Sequence, residues 1–353
     1  MGSDIKYLHF SEIDLNDPFF NTLREDYDGF NDWFKKKANN GDKAYVQYDS
    51  NRLQAFLYMK DESGVELHDV TPPRKPCKRL KVGTFKIDAH NTKLGERFVK
   101  KILDRAIADN YDEVYLTIFP KHSGLINLLE KYGFTKEADK KGEGVYFKNM
   151  RRLTGNLLKD YPLISIHDRR KFVLAIYPIF HTKLFPDSIL RNEDNQKYEL
   201  IKDVSYTNSI HKIYLCFMPD TALLKPGDLI AIYRTSDNLG PARYRSVISS
   251  ICQIEEVRTK SSFSTIEEYL TYTNKYSIFD DKDLISWYQK KNVIVLKMTY
   301  NIALSKRVTR GFLLDEVGIP EEYYWGFFQL TDKQFDAIIK KGEINENIII
   351  DKA

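Results

Sequence analysis

Two stretches of the 353-residue sequence combine residue types that can bind anions. In the first, a mostly polar segment, residues 89–95, opens into an amphipathic helix. The first amides of a helix have no intrahelical acceptor and the helix dipole is positive there, so this junction can hold a phosphate group. In the second, three arginines accompany two tyrosines between residues 233 and 245. Guanidinium groups contact phosphates or base edges and tyrosine rings stack on bases, which indicates a nucleic-acid partner.

The elements around the first stretch follow a regular order. Apolar residues at helical spacing predict helices over residues 18–38, with a break at Asp28-Gly29, and over residues 93–108 and 123–132. Alternating or continuous apolar runs predict strands over residues 43–48, 54–60, 79–88, 113–119 and 145–150. The order of helices, antiparallel strands and then strand–helix–strand–helix–strand predicts an α+β domain.

Strands dominate the rest of the chain. They are predicted over residues 172–177, 213–218, 228–233, 244–257 and 292–300, with helices over residues 179–185, 265–273, 280–289 and 332–341. Many strands with few helices predict a small β-barrel with added helices. The pattern weakens between residues 151 and 171, so we predict a first domain over residues 1–152 and a second over residues 160–353.

Two runs in the first domain carry a family resemblance. They are Arg79–Asp88 with the loop and helix that follow, and Val114–Phe134, which ends in Glu-Lys-Tyr-Gly-Phe. In this order and spacing they resemble the GNAT N-acetyltransferases over most of residues 5–150. The resemblance implies a mixed sheet flanked by helices, acetyl-CoA (coenzyme A) as cofactor, and acyltransferase activity on an amine-bearing acceptor.

The resemblance also implies which residues bind the cofactor. The family's loop, Gln/Arg-x-x-Gly-x-Gly/Ala, reads His90-Asn91-Thr92-Lys93-Leu94-Gly95 here, so the middle glycine is replaced by Lys93. In the family the loop amides hold the pyrophosphate, and the preceding strand pairs with the pantetheine arm. The implied cofactor-binding residues are Phe85, Lys86, Ile87, His90, Asn91, Thr92, Lys93, Leu94, Gly95, Glu96 and His122.

Several residues are candidates for the groups that would transfer protons. Many family members use a tyrosine as the acid in the last helix, and Leu129 stands at that position here. Tyr132 is an alternative acid, although packing would equally explain it. Glu62, Glu66 and His68, near the predicted strands that face the cleft, are candidate bases for deprotonating an amine.

A second resemblance covers roughly residues 160–345. A strand runs into a short helix over Phe172–Pro186, and Lys225-Pro-Gly-Asp begins a later strand; both resemble ASCH domains of the PUA-like barrel group. PUA-like domains commonly bind RNA, modified bases or nucleosides. The candidate nucleic-acid-binding residues are Lys183, Arg234, Arg243, Tyr244 and Arg245. Solvated barrel charges are the alternative explanation. The pattern of the members that hydrolyse acetylated cytidine is missing, so we do not predict that activity.

The composition limits the remaining classes of function. Hydrophobic residues make up 42% and charged residues 29%, which is ordinary for a globular protein. Three distant cysteines predict neither a disulfide framework nor a metal site. Neither a signal peptide nor an apolar run of about 18 residues is evident, so we expect a cytoplasmic protein without a membrane partner. Residues 151–260 carry 17 Lys/Arg against 12 Asp/Glu, which favours either a phosphate-bearing partner or a solvated basic face.

The sequence therefore predicts an acetyl-CoA-dependent N-acetyltransferase whose second domain recruits a substrate, RNA such as tRNA or aminoacyl-tRNA. One alternative is a protein or small-amine acetyltransferase in which the barrel only scaffolds. The other is a non-catalytic, acyl-CoA-regulated binding module of toxin–antitoxin or defence type, which the loss of the tyrosine at position 129 favours. The identity of the acceptor and the oligomeric state are left open.

Overall fold

The computed structural model describes residues 5–88, 93–188, 209–290 and 292–350. Contacts between residues divide the chain into a first unit, Met1–Arg152, and a second unit, Leu153–Ala353. Both units combine a mixed sheet with helices, which confirms the predicted α+β class.

A seven-stranded sheet with the order β1-β2-β3-β4-β5-β7-β6 forms the centre of the first unit. Only β4 and β5 run parallel; the other neighbouring strands are antiparallel. The strands are β1 (Lys6–His9), β2 (Lys43–Asp49), β3 (Arg52–Asp61), β4 (Arg79–Ile87), β5 (Glu113–Ile118), β6 (Thr135–Lys140) and β7 (Glu143–Asn149).

Helices cover both faces of this sheet. They are α1 (Asn21–Asp26), α2 (Phe30–Asn39), α3 (Leu94–Ala108) and α4 (Ser123–Lys131). Neighbouring residues of a strand point to opposite faces. Phe85 of β4 packs against Phe98 of α3, whereas Lys86 reaches Thr22 of α1. The α1–α2 pair and α3 therefore lie on opposite faces.

The second unit contains a six-stranded sheet with the order β13-β8-β10-β11-β12-β9, in which only β8 and β10 are parallel. Its strands are β8 (Lys171–Ile176), β9 (His211–Cys216), β10 (Leu229–Arg234), β11 (Val247–Thr259), β12 (Ile294–Thr309) and β13 (Phe327–Leu330). Within the described ranges the two edge strands do not pair with each other, so closure into a barrel stays a prediction.

Seven helices of the second unit lie in the described part of the chain. They are α5 (Leu157–Asp160), α6 (Pro178–Leu184), α7 (Ala242–Arg245), α8 (Ile266–Thr273), α9 (Asp281–Gln289), α10 (Arg310–Asp315) and α11 (Asp332–Lys341). The apolar residues of β8–β12 together with those of α6 form the main core. No helix in the described ranges combines the length and apolarity that a bilayer crossing requires.

Most of the predicted elements are present within a few residues of their predicted limits. The helical segment 18–38 breaks as predicted, since Gly29 adopts a left-handed φ of 80° immediately before α2. One prediction was wrong: residues 244–246 do not begin a strand, because residues 242–245 form α7 and β11 starts at Val247. The sequence patterns also do not predict β1, β6, β13, α5 and α10.

Candidate functional site

The two parallel strands of the first unit separate shortly after they begin. Arg79–Lys81 of β4 pair with Glu113–Tyr115 of β5, and no later β4–β5 pair occurs among the described residues. Both strands continue, β4 to Ile87 and β5 to Ile118. The edge of β4 beyond Lys81 can therefore pair with an extended ligand that carries amide groups.

A β-bulge marks the point of separation. Tyr58 of β3 pairs with Thr84 and Met59 pairs with Val82, so Gly83 is an extra residue in β4. A Cβ at Gly83 would lie 2.8 Å from Cδ1 of the Tyr58 ring, so any side chain there would have to displace that ring. Bulges bend the strand that contains them and increase its twist, which turns β4 away from β5.

The predicted cofactor residues of β4 line this separated half. Phe85 is buried against α3, and Ile87 is half-buried. The ammonium group of Lys86 donates to the hydroxyl of Thr22 (2.8 Å) and to the backbone oxygen of Phe19, and it pairs with Asp88 (3.3 Å). Since that charge is already engaged, Lys86 would contribute its backbone to a ligand.

Six residues separate the end of β4 at Ile87 from the start of α3 at Leu94. The predicted His90, Asn91 and Thr92 lie outside the described residues, while Lys93 precedes the first helical residue, Leu94. A helix of 15 residues has a positive N-terminal end that favours a phosphate group. A Cβ at Gly95 would lie 3.6 Å from Cδ1 of Ile87, so this end of α3 lies near the C-terminal end of β4.

Gly95 and Glu96 in the first turn of α3 serve the packing of helices. A Cβ at Gly95 would lie 2.6 Å from Cδ2 of Leu128, so the absence of a side chain lets α3 and α4 approach closely. Glu96 accepts a hydrogen bond from Lys131 at 2.6 Å. Both residues are predicted cofactor contacts, and the contact of Gly95 with Leu128 and of Glu96 with Lys131 shows that they also pack α3 against α4.

A buried carboxylate lies beside the separated end of β5. Glu143, the first residue of β7, accepts hydrogen bonds at the same oxygen from the Tyr27 hydroxyl (2.6 Å) and from the Thr117 hydroxyl (3.1 Å). Thr117 is two residues beyond Tyr115, where pairing with β4 ends. The cluster of Tyr27, Thr117 and Glu143 therefore lies next to the opened edge.

A second group of charges adjoins the loop that carries Tyr27. Asp26 is nearly fully buried and accepts hydrogen bonds from Lys121 and from Nε2 of His122 (2.8 Å). Burial raises the pKa of Asp26. The hydrogen bonds and charges of Lys121 and His122 lower it by a larger amount, so the pKa lies below its ordinary value. An open cavity of about 290 Å³ is lined by Glu25, Asp26, Phe119, Pro120 and Lys121. His122, predicted as a cofactor contact, is a partner of Asp26.

The predicted bases Glu62 and Glu66 differ in burial and in the number of their partners. Glu62 accepts a hydrogen bond from Tyr115 (2.5 Å) and pairs with Lys60 and Lys81. Burial raises its pKa, but these partners lower it below the ordinary value, so Glu62 is a weakened base. The side chain of Glu66 is exposed.

The remaining predicted proton-transfer groups do not join the Glu143 cluster. His68 is 76% exposed at its side chain and lies 3.5 Å from Glu66. Tyr132 is completely buried at the end of α4, as is Leu129 in its last turn. Burial places the Tyr132 hydroxyl in the core, which agrees with the packing alternative.

In the second unit, two of the three predicted arginines form ion pairs with acidic residues. Arg243 and Arg245 lie on α7 rather than on a strand, and they form ion pairs with Asp315 and Asp237. Arg234 is 1% exposed at the end of β10. Of the predicted set, Tyr244 is exposed and Lys183 is half-buried on α6.

The end of the sheet at which β10 finishes also contains aromatic side chains that were not predicted from the sequence. The backbone oxygen of Gly326 accepts a hydrogen bond from Ala175, which brings the exposed Tyr324 to the end of β8, where the exposed Tyr177 follows. The guanidinium of Arg310 lies 4.6 Å from the centroid of the Trp325 ring. Because β8 and β10 are parallel and β13 and β11 run opposite to them, their adjoining loops meet at one end. We call this region, which includes Tyr177, Arg310, Tyr324 and Trp325, the sheet-end surface.

Three buried polar atoms near the sheet-end surface have no hydrogen-bond partner among the described residues. They are Nδ1 of His181, Oγ1 of Thr235 and Nε of Arg310. Nε2 of His181 is bonded to Ser249 at 2.6 Å, and burial together with nearby Arg234 lowers its pKa to about 3, so the ring is neutral. Buried polar groups are nearly always satisfied, and a bound ligand or water is the usual explanation.

Comparisons with known proteins give partial likenesses. No model of a known protein family matches the chain, and no curated protein matches it. Among solved structures, an ASCH protein from Zymomonas mobilis has 7% sequence identity and a TM-score of 0.32, covering 52% of this chain and 100% of that chain. The PaiA N-acetyltransferase from Thermoplasma acidophilum, in complex with coenzyme A, has 13% identity and a TM-score of 0.30, covering 42% and 99%. The N-acetyltransferase PseH from Campylobacter jejuni, in complex with acetyl coenzyme A, has 12% identity and a TM-score of 0.30, covering 41% and 99%. Likenesses of this size do not establish a fold or an activity for this chain.

Proposed function

We propose that the first unit is a GNAT-type N-acetyltransferase that transfers an acetyl group from acetyl-CoA to an amine. The observation that carries the proposal is the separation of β4 from β5 at the Gly83 bulge, with a buried carboxylate cluster at the opened end. The residues present fit the cofactor. The opened edge of β4 would pair with the amides of its arm, and the positive end of α3 would hold its phosphates.

Glu143 is the proposed general base. The bound cofactor supplies an acetyl thioester, a carbon open to attack by an amine. Glu143 accepts a proton from the incoming ammonium, while the hydroxyls of Tyr27 and Thr117 orient its carboxylate. An N–C bond would replace the C–S bond, and the second proton of the amine nitrogen would pass to the leaving thiolate. A positioned carboxylate within reach of the amine is sufficient for this role.

The test is a pair of glutamate variants in a thiol-release assay with acetyl-CoA and a panel of primary amines. We expect Glu143→Gln to lower kcat by about 10²- to 10⁴-fold, since general-base catalysis contributes that much. Glu66→Gln is the matched control and should retain the wild-type rate, because Glu66 is exposed and contacts only His68 in the described part of the chain. Equal rates for Glu143→Gln and wild type would remove Glu143 from the mechanism.

We further propose that the second unit, with a PUA-like barrel, recruits RNA to the reaction. The support is the sheet-end surface, which joins exposed aromatic rings to arginines and includes three buried polar atoms without described partners. Base stacking on tyrosine and phosphate contacts to arginine are the interactions that single-stranded RNA offers.

A further inference from the structure

A buried aspartate holds the imidazole of His122 in the part of the first unit that carries the proposed base. The side chain of Asp26 is 2% exposed, whereas that of His122 is 40% exposed. Nε2 of His122 lies 2.8 Å from the carboxylate of Asp26. One nitrogen of the imidazole is therefore anchored by a buried charge, while the ring itself is accessible from solvent.

The charge of Asp26 decides which ring nitrogen carries the proton. Burial raises the pKa of Asp26, but Lys121 and His122 lower it by a larger amount, so the carboxylate is ionised at neutral pH. An ionised carboxylate can only accept hydrogen bonds. In the neutral imidazole the proton is therefore on Nε2, and Nδ1 keeps its lone pair. Nδ1 makes no hydrogen bond with any described residue.

The same two segments of the chain hold His122 and Glu143. Asp26 is followed directly by Tyr27, whose hydroxyl donates to Glu143 at 2.6 Å. The backbone N–H of His122 donates to the backbone oxygen of Phe119, the first residue after β5. The rings of Tyr27 and Phe119 pack against each other with centroids 5.5 Å apart. The imidazole and the proposed base are thus attached to one loop and to the end of one strand beside the opened edge.

The proposed transfer leaves one proton to be moved. Glu143 takes the first proton from the ammonium, and the second has to travel from the amine nitrogen to the sulfur. The hydroxyl of Tyr132 is buried in the core and Leu129 has no ionisable group, so neither of these α4 positions carries it. The lone pair on Nδ1 of His122 has the chemistry that this task requires.

We infer that His122 carries the second proton and that Asp26 positions it, a role that rests on the N-acetyl transfer proposed above. As the N–C bond forms, Nδ1 of His122 accepts the second proton of the amine nitrogen. As the C–S bond breaks, Nδ1 gives this proton to the sulfur. The ring is neutral before and after the reaction, and the carboxylate of Asp26 stabilises the imidazolium in between, as the aspartate does in Ser-His-Asp hydrolases.

Thiol-release kinetics of the full-length protein with acetyl-CoA and primary amines separate proton transfer from cofactor binding. We expect His122→Gln to lower kcat by about 10²-fold or more and to change KM for acetyl-CoA by less than about threefold. The glutamine keeps an N–H for Asp26 but has no ionisable group. Lys121→Gln is the matched control and should keep the wild-type kcat, because Lys121 also pairs with Asp26 but is largely exposed.

A double-variant cycle tests the positioning role of Asp26. Asp26→Asn should lower kcat by about 10²-fold, and the protein with both substitutions should be no slower than His122→Gln alone, because residues that act as one unit are not additive. Effects that multiply would leave Asp26 with a structural role only.

A readout that needs neither acetyl-CoA nor turnover is the chemical shift of the two ring nitrogens of His122 in isotope-labelled protein. We expect the neutral ring to carry its proton on Nε2 in the wild type, and Asp26→Asn to remove this preference. The resonances are identified by their loss in His122→Gln. A neutral ring with its proton on Nδ1 in the wild type would overturn the relay.

The kinetic results distinguish failure of the relay from failure of the reaction. Absence of thiol release by the wild type with every amine overturns the proposed function and the relay together. Wild-type kcat in His122→Gln overturns the relay alone, and a rise in KM with unchanged kcat would show that His122 only binds the cofactor. Thermal unfolding of each variant checks its fold. If Asp26→Asn does not fold, His122→Gln and the nitrogen shifts of the wild type decide.

Discussion

At the scale of single residues, the proposed base Glu143 owes its position to the turn before it and to the pairing of its strand. Glu143 follows a turn in which Lys141 and Gly142 both have positive φ, and it is one acidic residue in a charged run. Only the pairing of β5 with β7 brings it beside Thr117. Glu66 and His68 have suitable chemistry, but both are exposed, because burial depends on contacts that spacing does not reveal.

Asp26 should make the first unit sensitive to acid. Its pKa is lower in the folded protein than in the unfolded chain, so its stabilising contribution is present above the unfolded pKa of about 4 and is lost as the pH falls below it. We expect Asp26→Asn to cost about 1–3 kcal/mol in the free energy of unfolding at pH 7, because Lys121 and His122 lose a charged acceptor. Urea unfolding at pH 7, 5 and 3, followed by tryptophan fluorescence, to which Trp33 contributes from the first unit, should show that difference shrinking at pH 3. A difference that stays constant with pH would contradict this role.

At the scale of elements, the sequence predicts those with strong patterns and misses those without them. Helix α3 has one continuous apolar face, and its predicted and observed limits nearly coincide. Strand β6, with the sequence Thr-Lys-Glu-Ala-Asp-Lys, lies at the edge of its sheet and buries only Ala138, so no apolar alternation marks it. Strand β12 continues nine residues past its predicted end through irregular pairing with β11, which a uniform two-residue period does not reveal.

The start of α3 is the element on which phosphate binding depends, and its packing can be tested directly. We expect Gly95→Ala to destabilise the protein by about 1–3 kcal/mol, because the new Cβ would lie 2.6 Å from Leu128 and overpack the α3–α4 contact. Gly124→Ala in α4 is the control, since nothing lies within 4 Å of its Cβ, and alanine there should be neutral or stabilising. Thermal unfolding measures both.

A coupling experiment distinguishes this packing effect from a general loss of stability. Leu128→Val shortens the side chain that the new Cβ would meet, so the double variant should lose less than the sum of the two single effects. Strict additivity would show that Gly95 is not required for the contact between α3 and α4.

At the scale of the whole molecule, positive charge is concentrated in the middle of the chain and not in either unit as a whole. Residues 151–260 carry 17 Lys/Arg and 12 Asp/Glu, whereas residues 1–150 carry 25 and 24. The excess positive charge therefore lies in the part of the chain that contributes α7 and the adjoining ends of β8, β10 and β11 to the sheet-end surface. Net charge alone does not identify which basic residues can bind a nucleic acid. Arg243 and Arg245 are paired with Asp315 and Asp237, which only the folded chain brings close to them.

Binding of tRNA by the full-length protein should depend strongly on salt. Removing one cation that binds a phosphate lowers the slope of log K against log salt by about 1. If a phosphate replaces Asp315 as the partner of the exposed Arg243 guanidinium, Arg243→Gln should reduce the slope by about that amount. Tyr244→Ala should weaken binding by about tenfold at every salt concentration, because it removes a stacking surface that carries no charge. Lys306→Gln, which removes an exposed charge on β12 that pairs with Glu343, is the control. Binding without salt dependence would exclude the proposed phosphate contacts.

The proposed function requires the opening between β4 and β5 at Gly83 to hold coenzyme A. The most direct measurement is a calorimetric titration of the protein with coenzyme A, repeated with Gly83→Val and with the control Gly124→Ala. We expect saturable one-to-one binding by wild type and by the control. Binding should be abolished or weakened at least about tenfold in Gly83→Val, because a side chain there meets the Tyr58 ring, whose hydroxyl Lys37 already holds at 2.8 Å. No binding by the wild type, or equal binding by Gly83→Val in a folded protein, would contradict it.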